Sequence, residues 1–142
     1  MQGTKNKTRT ILVVDDFDEL RSTLRLWLEQ RGYEVVEARD GDEAIEVAHR
    51  EHPALILMDI GMPERSGISA TYKIRKDPDL SEIPIVAITA FGEELRADAL
   101  KAGCVECLAK PLDTDELHKL LGRLFPVESE VEKAKSVNSP SD

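Results

Sequence analysis

The sequence predicts an α/β fold, in which a parallel sheet carries helices on both of its faces. Short apolar runs alternate along the chain with longer amphipathic segments, which is the pattern of strands connected by helices. Four of the five apolar runs lack the apolar–polar alternation of a strand with one solvent-exposed face, which indicates strands that are covered on both faces. We expect five β-α units in one domain, since 142 residues are about what a single core takes.

The strands are predicted at the five apolar runs, which are residues 11–14, 34–38, 54–58, 85–88 and 105–108. Between them, apolar residues recur at helical spacing and form a stripe. The stripe of the first helix consists of Leu20, Leu24, Trp27 and Leu28, and that of the last helix of Leu117, Leu120, Leu121 and Leu124. We expect both stripes, Trp27 included, to be buried in the core.

Capping residues predict where the helices begin and end. Gly32 and Gly103 fall where glycine follows the C-terminus of a helix, and Asp113 takes an N-cap position with Glu116 three residues later. Pro84 immediately precedes the fourth strand. These signals agree with the positions that the apolar pattern gives.

Both ends of the sequence differ from its middle. Residues 1–9 are basic without an apolar anchor and are expected to form a flexible lead. Residues 127–142 are acidic, rich in Ser and devoid of aromatic side chains, which predicts a disordered tail. The folded domain is therefore expected to span residues 10–126.

The composition excludes several classes of protein. The formal net charge is −9, whereas sequence-independent binding of nucleic acid needs clustered Lys and Arg. We therefore expect no direct contact with nucleic acid. The longest apolar run, residues 54–58, is far short of a membrane-spanning helix, and the N-terminus lacks the apolar region of a secretory signal. Two cysteines fit a reducing compartment, and we expect a cytoplasmic protein without membrane contact.

Charged and polar residues follow four of the predicted strands, namely Asp15 and Asp16 after the first, Asp59 after the third, Thr89 after the fourth and Lys110 after the fifth. The carboxyl ends of parallel strands meet at one edge of the sheet, where open α/β folds bind their ligands. Three carboxylates at one place repel one another, and a divalent cation relieves that repulsion. Because Mg²⁺ prefers oxygen ligands, the sequence predicts a Mg²⁺ site there.

These residue types are also those that phosphoryl transfer uses. A cation gathers phosphate oxygens, and Thr89 and Lys110 would add a hydrogen bond and a positive charge to them. The adjacent Asp15 and Asp16 are well placed to hold the metal. Asp59 stands alone and is the expected nucleophile, which would become an acyl phosphate.

The order of these motifs resembles the receiver domain of two-component response regulators, the CheY-like family. The motifs are VVDD, LILMDIGMP with a Gly shortly after, ITA and KP, and they span roughly residues 10–125. The resemblance implies a flavodoxin-like sheet of strand order 2-1-3-4-5. It also implies that a histidine kinase or phosphotransfer protein transfers a phosphoryl group to Asp59.

The resemblance implies roles for individual residues as well. The metal ligands would be Asp15, Asp16, Asp59 and the backbone carbonyl of Gly61. Thr89 and Lys110 would contact the phosphoryl group, and a cis peptide bond would join Lys110 to Pro111. The first helix, with Phe17, Arg21 and Arg25, would face the kinase.

Three positions depart from the family pattern. Cys107, three residues before Lys110, replaces the Tyr or Phe that acts as a switch together with Thr89. Coupling to the surface of the fourth and fifth helices either works with a small side chain or is altered. Gly61 and Phe91 lie where side chains influence the water that hydrolyses the acyl phosphate. We expect slow autodephosphorylation, because Gly61 cannot orient that water and Phe91 shields the site.

Cys104 and Cys107 form a C-x-x-C pair, a spacing found in redox and zinc sites. Redox pairs lie at a helix N-terminus, whereas these flank the start of a predicted strand, where residues i and i+3 point to opposite faces. The sequence has no second pair to complete a zinc site. We therefore expect Cys104 to be a buried structural residue and Cys107 to be partly exposed at the switch position.

The sequence thus favours a stand-alone receiver that signals through altered protein–protein contacts or a phosphorelay. It is not expected to be an enzyme beyond Mg²⁺-dependent self-phosphorylation and slow autodephosphorylation. The downstream protein is not identified, and dimerisation on phosphorylation stays open.

The sequence also bears on three alternative functions. An aspartyl-phosphate phosphatase would carry a second acid where this chain has Gly61. A flavin-binding electron carrier would have a first loop rich in Ser, Thr and Gly, whereas this loop reads DDFDE. A phosphorylation-independent adaptor with a receiver fold stays open, with Cys107 marking a lost switch.

Overall fold

The computed structural model of the chain describes residues 9–90 and 93–126, which contain the predicted parallel sheet. Its strands are β1 (Thr10–Val14), β2 (Glu34–Ala38), β3 (Leu55–Asp59), β4 (Ile85–Thr89) and β5 (Glu106–Ala109). Neighbouring strands are parallel and lie in the order β2-β1-β3-β4-β5, which confirms the predicted fold and strand order. The predicted tail and most of the predicted lead lie outside the described residues.

Five helices and a short 3-10 turn connect or follow the strands in the described part of the chain. The helices are α1 (Asp18–Gln30), α2 (Gly41–Glu51), α3 (Ser66–Lys76), α4 (Glu93–Ala102) and α5 (Thr114–Leu124), and the 3-10 turn is Pro63–Arg65. None of these helices is long and apolar enough to cross a membrane. The described residues divide after Lys110 into two compact units, the first with the sheet and α1–α4 and the second with α5.

Helices α2, α3 and α4 pack on one face of the sheet. Side chains at alternate strand positions, among them Leu12, Ile56 and Ala87, form one buried cluster with residues of these helices. Buried residues at the intervening positions, such as Ile11 and Leu55, lie outside that cluster, on the side where α1 contacts β1 and β2. Burial on both faces explains why the strand sequences lack a polar alternation.

The apolar stripe of α1 is less buried than its spacing predicts. Leu28 is buried, whereas Leu24 and Trp27 are half-buried and Leu20 is 44% exposed. The prediction of a buried stripe is wrong at Leu20, which lies in the first turn of α1, where the chain has just left the carboxyl end of β1. Trp27 lies partly at the surface, with the guanidinium carbon of Arg31 3.8 Å from the centre of its ring.

The predicted helix ends are present in the structure. Gly32 and Gly103 follow α1 and α4 with φ values of +93° and +122°, a region that residues with a side chain rarely adopt. At the start of α5, the carboxylate of Asp113 accepts hydrogen bonds from the N–H groups of Asp115 and Glu116. In α5 itself the predicted burial is found at three of the four leucines, Leu117, Leu120 and Leu121.

Both cysteines are buried in the same apolar cluster, with Cys104 6% and Cys107 7% exposed. The predicted burial of Cys104 is confirmed. The partial exposure predicted for Cys107 is wrong, because this residue pairs with Ala87 of β4 and belongs to the same cluster. The opposite orientation predicted for the pair is also wrong, because β5 begins only at Glu106 and Cys104 lies before it. Burial raises the pKa of the Cys104 thiol to about 11.

A glycine lets α3 approach the end of β3. A Cβ atom on Gly67 would lie 2.5 Å from the carbonyl oxygen of Asp59 and 3.0 Å from the Cα atom of Ile60. Both neighbours are backbone atoms, so no change of a side-chain rotamer could relieve the contact. The Gly that follows the LILMDIGMP motif is therefore required by the packing of α3 against the chain after β3.

We expect Gly67→Ala to lower the free energy of unfolding by about 1–3 kcal/mol, since overpacking against backbone forces α3 or β3 to shift. Gly122→Ala is the matched control, because a Cβ there meets nothing within 4 Å and alanine favours a helix. Urea unfolding of both variants measures the difference. Wild-type stability in Gly67→Ala would contradict the close contact.

We expect iodoacetamide to modify Cys104 slowly at about pH 8, because a pKa of about 11 leaves roughly one thiol in a thousand ionised. Peptide mapping by mass spectrometry measures this, and unfolding in urea should restore ordinary reactivity. The pKa of Cys104 is about 11 in the folded state and takes its ordinary value of 9.0 in the unfolded state. This difference therefore contributes to the stability of the fold below pH 9.0, and the contribution is lost as the pH rises to about 11. Fast labelling of the native protein at Cys104 would contradict this environment.

Candidate functional site

The carboxyl edge of the sheet brings together three acidic residues. Asp15, Asp16 and Asp59 each offer one carboxylate oxygen, and these oxygens lie within 4.8 Å of one another. Asp59 is the last residue of β3, and Asp15 directly follows β1. Both are buried, whereas Asp16 is exposed. The structure therefore places the three carboxylates among the four predicted metal ligands in one cluster.

Backbone groups hold Asp15 in this position. Its N–H donates to the carbonyl oxygen of Ala38 at 3.1 Å, which continues the pairing of β1 with β2 beyond Val14. Its carboxylate Oδ1 accepts a hydrogen bond from the N–H of Phe17 at 2.9 Å. This turn, in which an Asp side chain binds the backbone two residues later, leads the chain into α1.

Asp59 is held in a similar way. Its Oδ1 accepts a hydrogen bond from the N–H of Gly61 at 2.8 Å. The N–H of Ile60 donates to the carbonyl oxygen of Ile88 at 3.0 Å, so the pairing of β3 with β4 continues past Asp59. Together with the contact at Gly67, these bonds fix the backbone on both sides of the carboxylate.

Lys110 places one ammonium group beside two of the acids. Its Nζ lies 3.2 Å from Oδ2 of Asp59 and 3.5 Å from Oδ2 of Asp15. Its backbone N–H donates to the carbonyl oxygen of Thr89 at 2.8 Å, which extends the pairing of β4 with β5. The side chain of Lys110 is 23% exposed, so the ammonium also has access to solvent.

Negative charge at the cluster exceeds the positive charge beside it. Burial raises the pKa of Asp15, and the nearby carboxylate of Asp59 raises it further, against the N–H of Phe17 and the ammonium of Lys110. Three carboxylates therefore lie together, and the ammonium of Lys110 contacts two of them, Asp15 and Asp59. Their oxygen atoms are the donor type that hard divalent cations prefer, so the residues present fit such a cation.

The remaining predicted residues lie at different distances from this cluster along the sheet. Thr89 ends β4, is 2% exposed and pairs with Ala109, the residue before Lys110. Cys107 lies two residues earlier in β5, in the core and not beside the acids. Phe91 lies outside the described residues.

Two features near the site were not predicted from the sequence. Arg21 was expected on a kinase-facing surface, but its side chain is only 11% exposed and its Nη1 donates to the carbonyl oxygen of Asp15 at 2.7 Å. Glu64 and Arg65, in the 3-10 turn after β3, adopt φ values of +60° and +54°, which residues other than glycine rarely do. The spacing of Arg21 from Asp18 is a weak signal for an ion pair, and the turn contains no Gly or Asn that would mark it.

Comparisons with known proteins identify the family. The sequence profile of the response regulator receiver domain matches residues 11–122. The polar-differentiation response regulator DivK of Brucella ovis is 38% identical to this chain over 108 residues, which are 74% of this chain and 86% of DivK. Most of the described domain is therefore covered by both comparisons.

Solved structures are similar over most of the chain. A putative response regulator from Chloroflexus aurantiacus has a TM-score of 0.78 and 31% identity, covering 83% of this chain and 98% of its own. The receiver domain of a sensor histidine kinase from Pseudomonas aeruginosa, with a magnesium ion coordinated in its active-site cleft, has a TM-score of 0.76 and 35% identity, covering 82% of this chain and 97% of its own. With the matching profile and the strand order 2-1-3-4-5, these similarities show that the chain belongs to the response regulator receiver domain family.

Proposed function

We propose that this receiver takes a phosphoryl group onto Asp59 from a histidine kinase or phosphotransfer protein, in a Mg²⁺-dependent reaction. It would then signal through altered protein–protein contacts or pass the group along a phosphorelay. The observation that carries the proposal is the environment of Asp59. Its buried carboxylate ends β3, lies 3.2 Å from the ammonium of Lys110 and shares a cluster with Asp15 and Asp16.

Asp59 is the proposed nucleophile. One of its carboxylate oxygens attacks the phosphorus of a phosphohistidine, so that an O–P bond forms while the N–P bond breaks and its electron pair stays on the imidazole nitrogen. Lys110 is already within reach of Asp59 and would bind a phosphoryl oxygen, as would the hydroxyl of Thr89 at the end of the next strand. Positioning and charge compensation are what phosphoryl transfer chiefly requires of a protein.

The proposed ligands of Mg²⁺ are the carboxylates of Asp15, Asp16 and Asp59 and the backbone carbonyl of Gly61. When bound, Mg²⁺ supplies positive charge that offsets the repulsion between the carboxylates and the incoming phosphoryl oxygens. The hydrogen bond from the N–H of Gly61 to Asp59 already fixes the path of the chain after the phosphoacceptor.

The start of α1 supports docking of the phosphodonor protein. Phe17 is 53% and Leu20 is 44% exposed, and both closely follow Asp15 and Asp16 in the chain. Exposed apolar side chains beside a polar site are typical of protein-binding surfaces. The proposed interface therefore places an apolar contact next to the acidic cluster.

Thr89 and Cys107 are the proposed switch residues, but Cys107 favours a second candidate function. It is buried and has no aromatic ring that could move between two positions. A phosphorylation-independent adaptor with a receiver fold is therefore the alternative. A phosphoryl group can shift the equilibrium between two states of a protein only if it interacts differently with them. In the adaptor, phosphorylation would produce no such difference.

Other features remain predictions from the family. These are the cis bond between Lys110 and Pro111, a homodimer formed on phosphorylation, and slow autodephosphorylation. The last is supported by Gly61, which has no side chain to hold a hydrolytic water.

We expect acetyl phosphate with Mg²⁺ to add one phosphoryl group to the wild type and none to Asp59→Asn, because the amide is a poor nucleophile. Asp79→Asn is the matched control, since that carboxylate is exposed in the turn before β4. Intact-protein mass spectrometry measures the product, which should also be absent when EDTA removes the metal. Equal labelling of Asp59→Asn and the wild type would contradict the proposal.

We expect fluoroberyllate with Mg²⁺, which mimics the bound phosphoryl group, to shift the amide resonances of Thr89 and Cys107. Shifts at both residues would show that binding at the acidic site also changes the environment of β5. Asp59→Asn, which should not hold the fluoroberyllate, is the control. Resonances of Cys107 that do not move, in a protein that does bind fluoroberyllate, would favour the adaptor.

A further inference from the structure

Arg21 joins three segments of the chain with one guanidinium group. Its Nη1 donates to the backbone carbonyl of Asp15 at 2.7 Å, its Nη2 to the carboxylate of Asp18 at 2.7 Å and its Nε to the carboxylate of Glu37 at 2.6 Å. These acceptors belong to the loop after β1, to the first turn of α1 and to β2. The side chain is only 11% exposed, so it is largely covered by the elements next to the site.

Glu37 anchors this arginine from the sheet. Its other carboxylate oxygen accepts a hydrogen bond from Nη1 of Arg25 at 2.5 Å. Burial acts to raise the pKa of Glu37, but the hydrogen bonds from Arg25 and Arg21 prevail and lower it. Glu37 is therefore ionised at neutral pH and holds both guanidinium groups.

We propose that Arg21 is a positioning residue for the acidic cluster, because it fixes the peptide group that joins Asp15 to Asp16. This inference rests on the proposed function, since it takes both residues as metal ligands. The carbonyl that Arg21 binds belongs to that peptide group, which is planar. Fixing its orientation sets the direction in which the chain leaves Asp15, and so the place from which the Asp16 side chain starts.

The exposed position of Asp16 makes this support necessary. Asp15 is held by the sheet through Ala38 and by the N–H of Phe17, whereas Asp16 lies at the surface beyond the end of β1. Repulsion from the other two carboxylates would turn an unsupported Asp16 toward solvent. The hydrogen bond from Arg21 fixes the backbone from which the Asp16 side chain starts, and so limits how far repulsion can displace that side chain through the backbone.

The chemistry of arginine suits this role. A guanidinium has five N–H donors in a planar fork and can serve three acceptors at once, which a lysine ammonium on a flexible stem does less well. Its charge is also compensated by Asp18 and Glu37. Arg21 therefore supplies rigid donors beside the cluster without adding a net positive charge that would repel a metal cation.

The test compares two arginines that share Glu37. Arg21→Met removes the contact with Asp15, whereas Arg25→Met removes an equivalent ion pair with Glu37 but no contact with the cluster. We expect Arg21→Met to weaken Mg²⁺ binding by about tenfold and Arg25→Met by less than about twofold, as for other groups that orient metal ligands. Titration of the amide resonances of the full chain with Mg²⁺ gives the affinities, and urea unfolding gives the stability of each variant.

Arg21→Lys adds a conservative variant. It keeps the charge but not the fork, so we expect Mg²⁺ binding of intermediate strength. If Arg21→Met does not fold, Arg21→Lys decides the question in its place. Wild-type Mg²⁺ affinity in the folded Arg21 variant would overturn the positioning role and leave the proposed function intact. An equal loss of affinity in Arg25→Met would also overturn it, because the effect would then follow the ion pair with Glu37.

Failure of the proposed function gives a different result. A wild-type chain whose amide resonances do not respond to Mg²⁺ would overturn both the proposed reaction and the positioning role. If the wild type binds Mg²⁺ and the Arg21 variant binds it with equal affinity, the positioning role alone would be overturned.

Discussion

Three carboxylates meet at the carboxyl edge of the sheet, two of them beside the ammonium of Lys110, and the surrounding structure depends on keeping them together. Their mutual repulsion would separate them or protonate one of them. The parallel pairing of β1 with β3 opposes this, because Val14 lies beside Met58 and the residues that follow must emerge side by side. The repulsion is therefore resisted by main-chain hydrogen bonds of the sheet, and Lys110 compensates only part of it.

The backbone supports each carboxylate separately. Asp15 is held from β2 and from the start of α1, and Asp59 from β4 and from the loop that follows it. Gly67 allows α3 to close against the same loop. A site built in this way needs little rearrangement when a charged ligand binds. Fixed dipoles and charges stabilise a charged group most strongly under that condition.

Local patterns were sufficient to predict the sheet and the residues at its carboxyl edge, because strands buried on both faces have a distinct composition and chain order places their ends together. Side-chain burial was harder to predict. The exposure of Leu20 depends on where α1 begins relative to the strand ends, and the burial of Cys107 depends on which cluster its face of β5 joins. Arg21 meets Glu37, sixteen residues away, only because β2 lies beside β1.

The strand order also decides how the protein behaves when it is concentrated. β2 and β5 form the two edges of the sheet. β5 has only four residues, and β2 begins with the exposed Glu34. A second chain added to β5 would gain few main-chain hydrogen bonds, and one added to β2 would meet the exposed charged side chain of Glu34. Both edges therefore resist the strand addition from which fibrous aggregates grow.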